Sequence, residues 1–350
     1  LNNKKTKFLL ITIYTMVLIR LDVWYDKDVS LEKIKKEVIA VIGYGIQGHA
    51  QASNMKDSGL NVIVGLRKNG ASWDKAVKDG HEVYEVAEAA KKADIIHILV
   101  PDMTTKKVYE NDIKPHLKEG DAIGFSHGIA ITYNWIHPPE WIDIVMVAPK
   151  APGKRLREVY LEDFGVPAIV AVEHDYTKRA WDRVLGMAKA IGSTRAGAIK
   201  TTFKEETETD LFGEQVDLCG GADRLVRTAF EVLVESGYKP EIAYFECLHE
   251  LKLIVDLIQD GGISGMYNNV SETARYGGLT RGGRIINKEV KENMKSVLKE
   301  VQNGEFASEW LNSYETKGKK SFEEHMNVLS EHPIEKIGKK LRSMMWPDKK

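Results

Sequence analysis

Short apolar runs alternate with amphipathic stretches from Lys36 to about Lys200. The runs are Val38–Ile42, Asn61–Gly65, Asp94–Val100, Asp121–Phe125, Asp143–Ala148 and Pro167–Val172. Each is almost continuously apolar, the pattern of strands covered on both faces of a parallel sheet. His49–Ser58, Ala71–Lys78 and Tyr176–Ile191 carry helical spacing between them. Strands alternating with helices predict a doubly wound α/β sheet.

Beyond Lys200 the pattern changes. Lys204–Cys219, Ala222–Glu235, Glu241–Gln259, Lys288–Gln302, Ala307–Tyr314, Phe322–Leu329 and Ile334–Met344 all have helical periodicity, and strand-like alternation is missing. An all-helical second domain is expected, in which Gly261-Gly262 and the Gly-rich Tyr276–Gly283 stretch form a long loop. The expected organisation is an extension over 1–20, a first domain over 21–201 and a helical domain over 202–347. The extension holds an apolar run, Phe8–Ile19, bounded by Lys7 and Arg20. That run is too short for a helix to span a bilayer, and no small-x-small cleavage site follows it. It is expected to lie outside the working domain.

Strand Val38–Ile42 leads directly into Gly43-Tyr44-Gly45-Ile46-Gln47-Gly48, and an Ala-rich helix follows. Between a buried strand and a helix, G-x-G-x-x-G is a dinucleotide-binding fingerprint. Gly43 permits the tight turn, Gly45 lets a pyrophosphate approach the backbone, and Gly48 allows close helix–strand packing. At the end of the second strand an NAD enzyme usually has an acid for the ribose 2′-hydroxyl. Here Val64-Gly65-Leu66-Arg67-Lys68-Asn69 has none. Arg67, Lys68 and Ser72 suit a 2′-phosphate, so NADPH is the expected cofactor, with NADH use left open.

Composition changes this picture little. Fifty basic and 51 acidic residues give a net charge of -1, which excludes a nucleic-acid footprint. Two cysteines, Cys219 and Cys247, exclude a disulfide scaffold and suit a reducing, cytoplasmic setting.

Acids cluster in KEETETDLFGEQ, Lys204–Gln215. Glu205, Glu206 and Glu208 fit a solvated first helical turn. Asp210 and Glu214 are spaced to share a helix face, where like charges repel unless a hard cation such as Mg²⁺ offsets them. Glu246 and Glu250 repeat that spacing among mostly apolar neighbours. Two such pairs resemble half of a two-metal site, although a solvated acidic face explains the spacing too.

Taken together these segments resemble the short form of the ketol-acid reductoisomerases. The likeness rests on GYGIQGHAQA (43–52), GLRKNGASW (65–73), SHG (126–128), VAPKAPG (147–153), KEETETDLFGEQ (204–215), YFECLHELK (244–252) and HPIEKIGKKLRSMM (332–345). It covers nearly everything after the first twenty residues. The resemblance implies a Rossmann domain followed by an all-α, knotted domain like that of 6-phosphogluconate dehydrogenase. It also implies a Mg²⁺-dependent alkyl shift of 2-acetolactate or 2-aceto-2-hydroxybutyrate, followed by reduction with NADPH, in branched-chain amino-acid biosynthesis. Asp210 would bridge two Mg²⁺ ions and Glu214 would bind the first. Glu246 and Glu250 would serve the second metal and the substrate, with Glu250 also catalytic. Ser271 would hold the substrate carboxylate. His127 and Lys150 would be catalytic, and Gly153 would join the Gly43–Gly48 turn around the cofactor. A homodimer at least is implied, with small molecules as the only other partners and neither nucleic acid nor membrane.

The chain departs from the family pattern at Ala151, at Lys154-Arg155-Leu156-Arg157, at Arg275, at Gly283 and in the Met345-Trp346-Pro347 tail. None of these removes a carboxylate of the expected site. Two other readings fit the same pattern: a metal-free NADP-dependent hydroxyacid dehydrogenase and a non-catalytic dinucleotide sensor.

Overall fold

A computed structural model describes residues 21–346, so the expectation for 1–20 lies outside the described residues. The chain divides into two units, Leu1–Thr207 and Glu208–Lys350.

The first unit is built on a nine-stranded sheet of order β1-β9-β8-β7-β6-β5-β2-β3-β4. Its strands are β1 (Val23–Trp24), β2 (Val38–Ile42), β3 (Asn61–Leu66), β4 (Glu82–Glu85), β5 (Ile95–Ile98), β6 (Ala122–Phe125), β7 (Asp143–Pro149), β8 (Ala168–His174) and β9 (Ala198–Lys200). Every expected strand is present, and β1, β4 and β9 join them. The six strands from β4 to β7 are mutually parallel. β8 corrects the all-parallel expectation, because it runs antiparallel to β7. Helices α1 (Ile46–Asp57), α2 (Ala71–Lys78), α3 (Val86–Lys92), α4 (Asp102–Val108), α5 (Ile129–Thr132), α6 (Gly153–Leu161) and α7 (Ala180–Ala190) connect the strands.

The continuous apolar runs are explained by burial on both faces. Ile39, Val41, Val64, Ile95, Val145 and Val147 share one core with Ala52 and Met55 of α1 and Val184 and Met187 of α7. At the N-terminal ends of the strands, Arg183 of α7 is buried between Glu37 and Asp143, at 3.0 and 2.8 Å. A buried charge needs such pairing, and losing one partner costs about 3–5 kcal/mol. The opposite, C-terminal edge is thereby left for function. The chain leaves β2 for β3 on one side and returns to β5 on the other, so the strand order reverses between β2 and β5. Open α/β sheets bind ligands outside the strand ends at such a point.

Helix α8 (Phe203–Gly213) carries the division between the units. The second unit continues with α9 (Gly220–Glu235), α10 (Pro240–Tyr244), α11 (Glu250–Asn268), α12 (Glu272–Ile285), α13 (Lys288–Gln302), α14 (Glu305–Lys317), α15 (Lys320–Glu331) and α16 (Pro333–Met345). No strand occurs among its described residues. Its core gathers Val226 and Phe230 of α9, Ala243 and Tyr244 of α10, and Ile334 and Leu341 of α16.

The long Gly-rich loop expected around 261–283 is not observed. Gly261 and Gly262 lie within α11, which only kinks at Gly262 (φ 67°, ψ -178°), and Tyr276–Gly283 is inside α12. Neither helix contains a buried residue. No helix among the described residues is long and apolar enough to cross a membrane.

Candidate active site

The glycine-rich turn leaves β2 at the reversal point. Gly43 has φ +102°, and a Cβ there would stand 2.6 Å from the Leu99 carbonyl oxygen, so glycine is required twice over. A Cβ on Gly48 would stand 2.2 Å from the Gly43 carbonyl oxygen, which seats α1 directly on the turn. Space at Gly45 is open, and a Cβ added there would meet nothing within 4 Å. No side chain caps the N-terminus of α1, so its first N–H groups face that opening in the manner of a phosphate cradle.

Two members of the turn do different work from the glycines. Tyr44 is buried, and its hydroxyl donates to Asp79 Oδ2 at 2.9 Å. Burial raises the phenol's pKa, and Asp79 adds to the rise. The Tyr44 side chain therefore ties the turn to the end of α2, leaving its backbone to face a ligand. Gln47 donates from Nε2 to the Ala151 carbonyl oxygen at 3.0 Å. Gly153 is also a packing residue: a Cβ there would stand 2.2 Å from the Ile46 carbonyl oxygen. Ile46 itself is exposed.

Arg67 and Lys68 are exposed in the loop between β3 and α2, and Ser72 is half-buried in the first turn of α2. An acid lies nearer this loop than the linear sequence indicates. The β3–β4 register pairs Leu66 with Glu85, whose carboxylate is 3.8 Å from Lys68 Nζ.

His127 follows β6 and Lys150 follows β7, and the structure brings them to one acid, Glu206. The Glu206 carboxylate accepts from His127 Nδ1 at 3.1 Å, from the Gly128 N–H at 3.0 Å and from Lys150 Nζ at 3.2 Å. Its exposure is 1%. This corrects the solvated reading of Glu206, since only its neighbours Glu205 and Glu208 escape full burial. Burial alone would raise the Glu206 pKa, but His127, Lys150 and the Gly128 N–H outweigh it and hold the carboxyl below its ordinary value. Asp210 sits one turn further along the same helix and is half-buried.

In the second unit, both expected carboxylate pairs fall where the helix opens into a π-turn. Asp210 and Glu214 straddle the start of the π segment Glu214–Leu218. Glu246 lies in the π segment Phe245–His249, and Glu250 begins α11 directly after it. Such turns are rare and frequent at functional sites. Glu214, Glu246 and Glu250 are exposed, the last two because Ala243, Tyr244 and Leu251 turn the apolar side of their stretch into the core. Among the described residues of this unit, no three acidic, His or Cys side chains bring ligand atoms within 4.8 Å of one another. Glu246 and Glu250 are thus not gathered with Asp210 and Glu214 into a cluster of that kind. Ser271 is the N-cap of α12, and its Oγ accepts from the Ala274 N–H at 3.1 Å.

The model of the acetohydroxy acid isomeroreductase NADPH-binding domain matches residues 33–197, and that of the ketol-acid reductoisomerase C-terminal domain matches 203–346. The chain belongs to the ketol-acid reductoisomerase family. A ketol-acid reductoisomerase (NADP(+)) from Nitrosopumilus maritimus is 62% identical over 93% of this chain and 98% of its own length. One from Methanocaldococcus jannaschii is 60% identical over 93% of this chain and 99% of its own. A solved structure of an NADH-preferring ketol-acid reductoisomerase from an uncultured archaeon superposes with a TM-score of 0.89. It is 49% identical, over 92% of this chain and 98% of that one.

Within this ketol-acid reductoisomerase fold, the residue missed from the sequence is Glu206. Its signal was present but unused: Glu206 and Asp210 have the same spacing as the two pairs that were singled out.

Proposed function

We propose that this chain is a working ketol-acid reductoisomerase that converts acetohydroxy acids to dihydroxy acids. The observation that carries the reading is the Glu206 cluster, which joins His127 and Lys150 at the ligand-binding edge of the sheet.

The open cradle at Gly45 and the uncapped start of α1 suit the cofactor pyrophosphate. Arg67, Lys68 and Ser72 favour NADPH through the 2′-phosphate, and Glu85 tempers that preference by competing for Lys68. Asp210, Glu214, Glu246 and Glu250 supply hard carboxylate oxygens, the donor set that suits two Mg²⁺ ions. When bound, the metals supply Lewis-acid polarisation of the substrate oxygens and the nicotinamide supplies hydride.

The chain's own residues then handle position and protons. Glu206, held as a carboxylate, fixes the proton of His127 on Nδ1 and orients Lys150 Nζ. Lys150 follows a strand end, where it serves to donate a proton to an oxygen gaining charge. Ser271, at a helix N-terminus, is suited to a substrate carboxylate.

A homodimer at least is part of the proposal. α11 and α12 contain no fully buried residue and expose Leu253, Val255, Ile263, Tyr276 and Leu279, which supports a second copy as their cover. A cytoplasmic setting is supported by the cysteines, neither of which is in a disulfide.

The test is acetolactate-dependent NADPH oxidation, measured with and without a Mg²⁺ chelator. Turnover that stops on chelation and returns with Mg²⁺ is expected. Activity persisting under chelation would instead favour a metal-free dehydrogenase.

A further inference from the structure

His97 is a fully buried histidine in the middle of β5, opposite Gly124 of β6, with no contact to the Glu206 cluster in the hydrogen bonds described above. Its Nε2 lies 2.9 Å from Gln51 Oε1 on α1. Gln51 Nε2 lies 2.9 Å from Ser126 Oγ and 3.1 Å from Gln47 Oε1. Gln47 Nε2 ends the line at the Ala151 carbonyl oxygen, 3.0 Å away.

The line runs in one direction. A backbone carbonyl only accepts, so Gln47 turns its amide nitrogen to Ala151 and its oxygen to Gln51. Gln51 must then donate to Gln47, which leaves its own oxygen towards His97. His97 therefore carries its proton on Nε2. Nδ1 has no hydrogen-bond partner and packs against Gly124, where a Cβ would stand 2.8 Å from it. Burial lowers the imidazole pKa to about 4, so the ring stays neutral and keeps this tautomer across ordinary pH.

The ends of the line lie beside the proposed catalytic groups. Ser126 precedes His127, Ala151 follows Lys150, and Gln47 belongs to the glycine-rich turn. We propose that His97 is a positioning residue whose Nε2–H orients Gln51, and through it holds the His127 and Lys150 loops in register with the dinucleotide turn. Without that donor the Gln51 amide is free to rotate, and both loops lose a shared anchor.

This role rests on the reductoisomerase reading, so the test has a readout that does not depend on turnover. His97→Leu removes the donor, whereas His97→Gln returns an N–H close to the Nε2 position. In His97→Leu, amide exchange in 126–128 and 150–153 should quicken by about tenfold, and in His97→Gln it should stay near the parent rate. In the acetolactate assay, kcat of His97→Leu should fall by about tenfold or more, with KM nearly unchanged, and His97→Gln should restore it. Should His97→Leu fail to fold, Gly124→Ala displaces the ring from its other side and should quicken exchange in the same two segments. Equal exchange in parent and Leu variant, or equal defects in the Leu and Gln variants, would overturn the proposal. A parent chain that does not turn over acetolactate would sink the activity and leave the exchange result to decide on His97.

Discussion

Replacing Glu206 with glutamine keeps the shape of a buried side chain and removes its charge. The Gly128 N–H can only donate, so the amide oxygen must take the place of Oε2, which also receives His127 Nδ1. The amide nitrogen then occupies the Oε1 position, 3.2 Å from Lys150 Nζ, and two donors face each other. A hydrogen bond to a charged group contributes about 1.5–3 kcal/mol. The low end applies here, because 36% of the Lys150 side chain is exposed and solvent screens it. A loss of about 1.5 kcal/mol corresponds to a roughly tenfold drop in kcat. KM for NADPH should hold, since the glycine-rich turn is untouched. The sign of the pH effect follows from the depressed Glu206 pKa. Its stabilisation is present above the unfolded value and is lost as pH falls through the folded one, so the variant should lose less stability than the parent on acidification. Steady-state NADPH oxidation at saturating Mg²⁺, paired with urea unfolding at several pH values, measures both effects. A Glu206→Gln enzyme with parental kcat would refute the role given to the cluster.

Two further outcomes follow from the first unit. Arg67→Ala combined with Lys68→Ala should raise KM for NADPH by about tenfold or more while leaving KM for NADH nearly unchanged; an equal rise for both cofactors would remove the 2′-phosphate assignment. Between pH 6.5 and about 4 the unfolded chain binds a proton that the buried His97 ring refuses, so this group withdraws stability as pH falls. Asp121, raised by burial to about 6, acts in the opposite sense over much of that window, and comparing parent with His97→Gln cancels its contribution. The difference between the two proteins should shift by about 2–3 kcal/mol between pH 7 and 4.5 in urea unfolding, and a pH-independent difference would contradict a neutral His97.

Elements governed by local pattern were legible in the sequence. Val38–Ile42, Ala71–Lys78 and Lys288–Gln302 match their observed bounds because periodicity, glycines and flanking polar residues all agree there. The direction of β8 was not legible, since an apolar run buried on both faces reads the same either way. Helix α12 was hidden because its glycines each cost about 1 kcal/mol against alanine, which argues locally for a loop. Of the candidate site, the turn and the carboxylate pairs announced themselves through spacing. Glu206 shares that spacing with Asp210, but its burial was hidden because it depends on His127 and Lys150, which arrive from distant strands. Glu85 reaches Lys68 only through strand pairing, and an absence of acids in the loop itself hides it.

The π-turns beneath the carboxylate pairs carry a consequence for how this chain can vary. A π-turn holds one residue more than the α-turn it replaces, and each α-helical residue advances the helix by about 100°. Deleting one residue from Glu214–Leu218 or Phe245–His249 would close the wide turn to an α-turn, so the flanking helix would keep nearly its phase while the spacing of residues across the turn would drop by one. A residue lost after Glu246 would bring Glu250 from four positions away to three, whereas Asp210 and Glu214 both stand at or before the start of their wide turn and would keep their spacing. Point substitutions within these five-residue segments leave the phase of the helix intact. Besides the carboxylate of Glu246 itself, the second stretch must preserve its length.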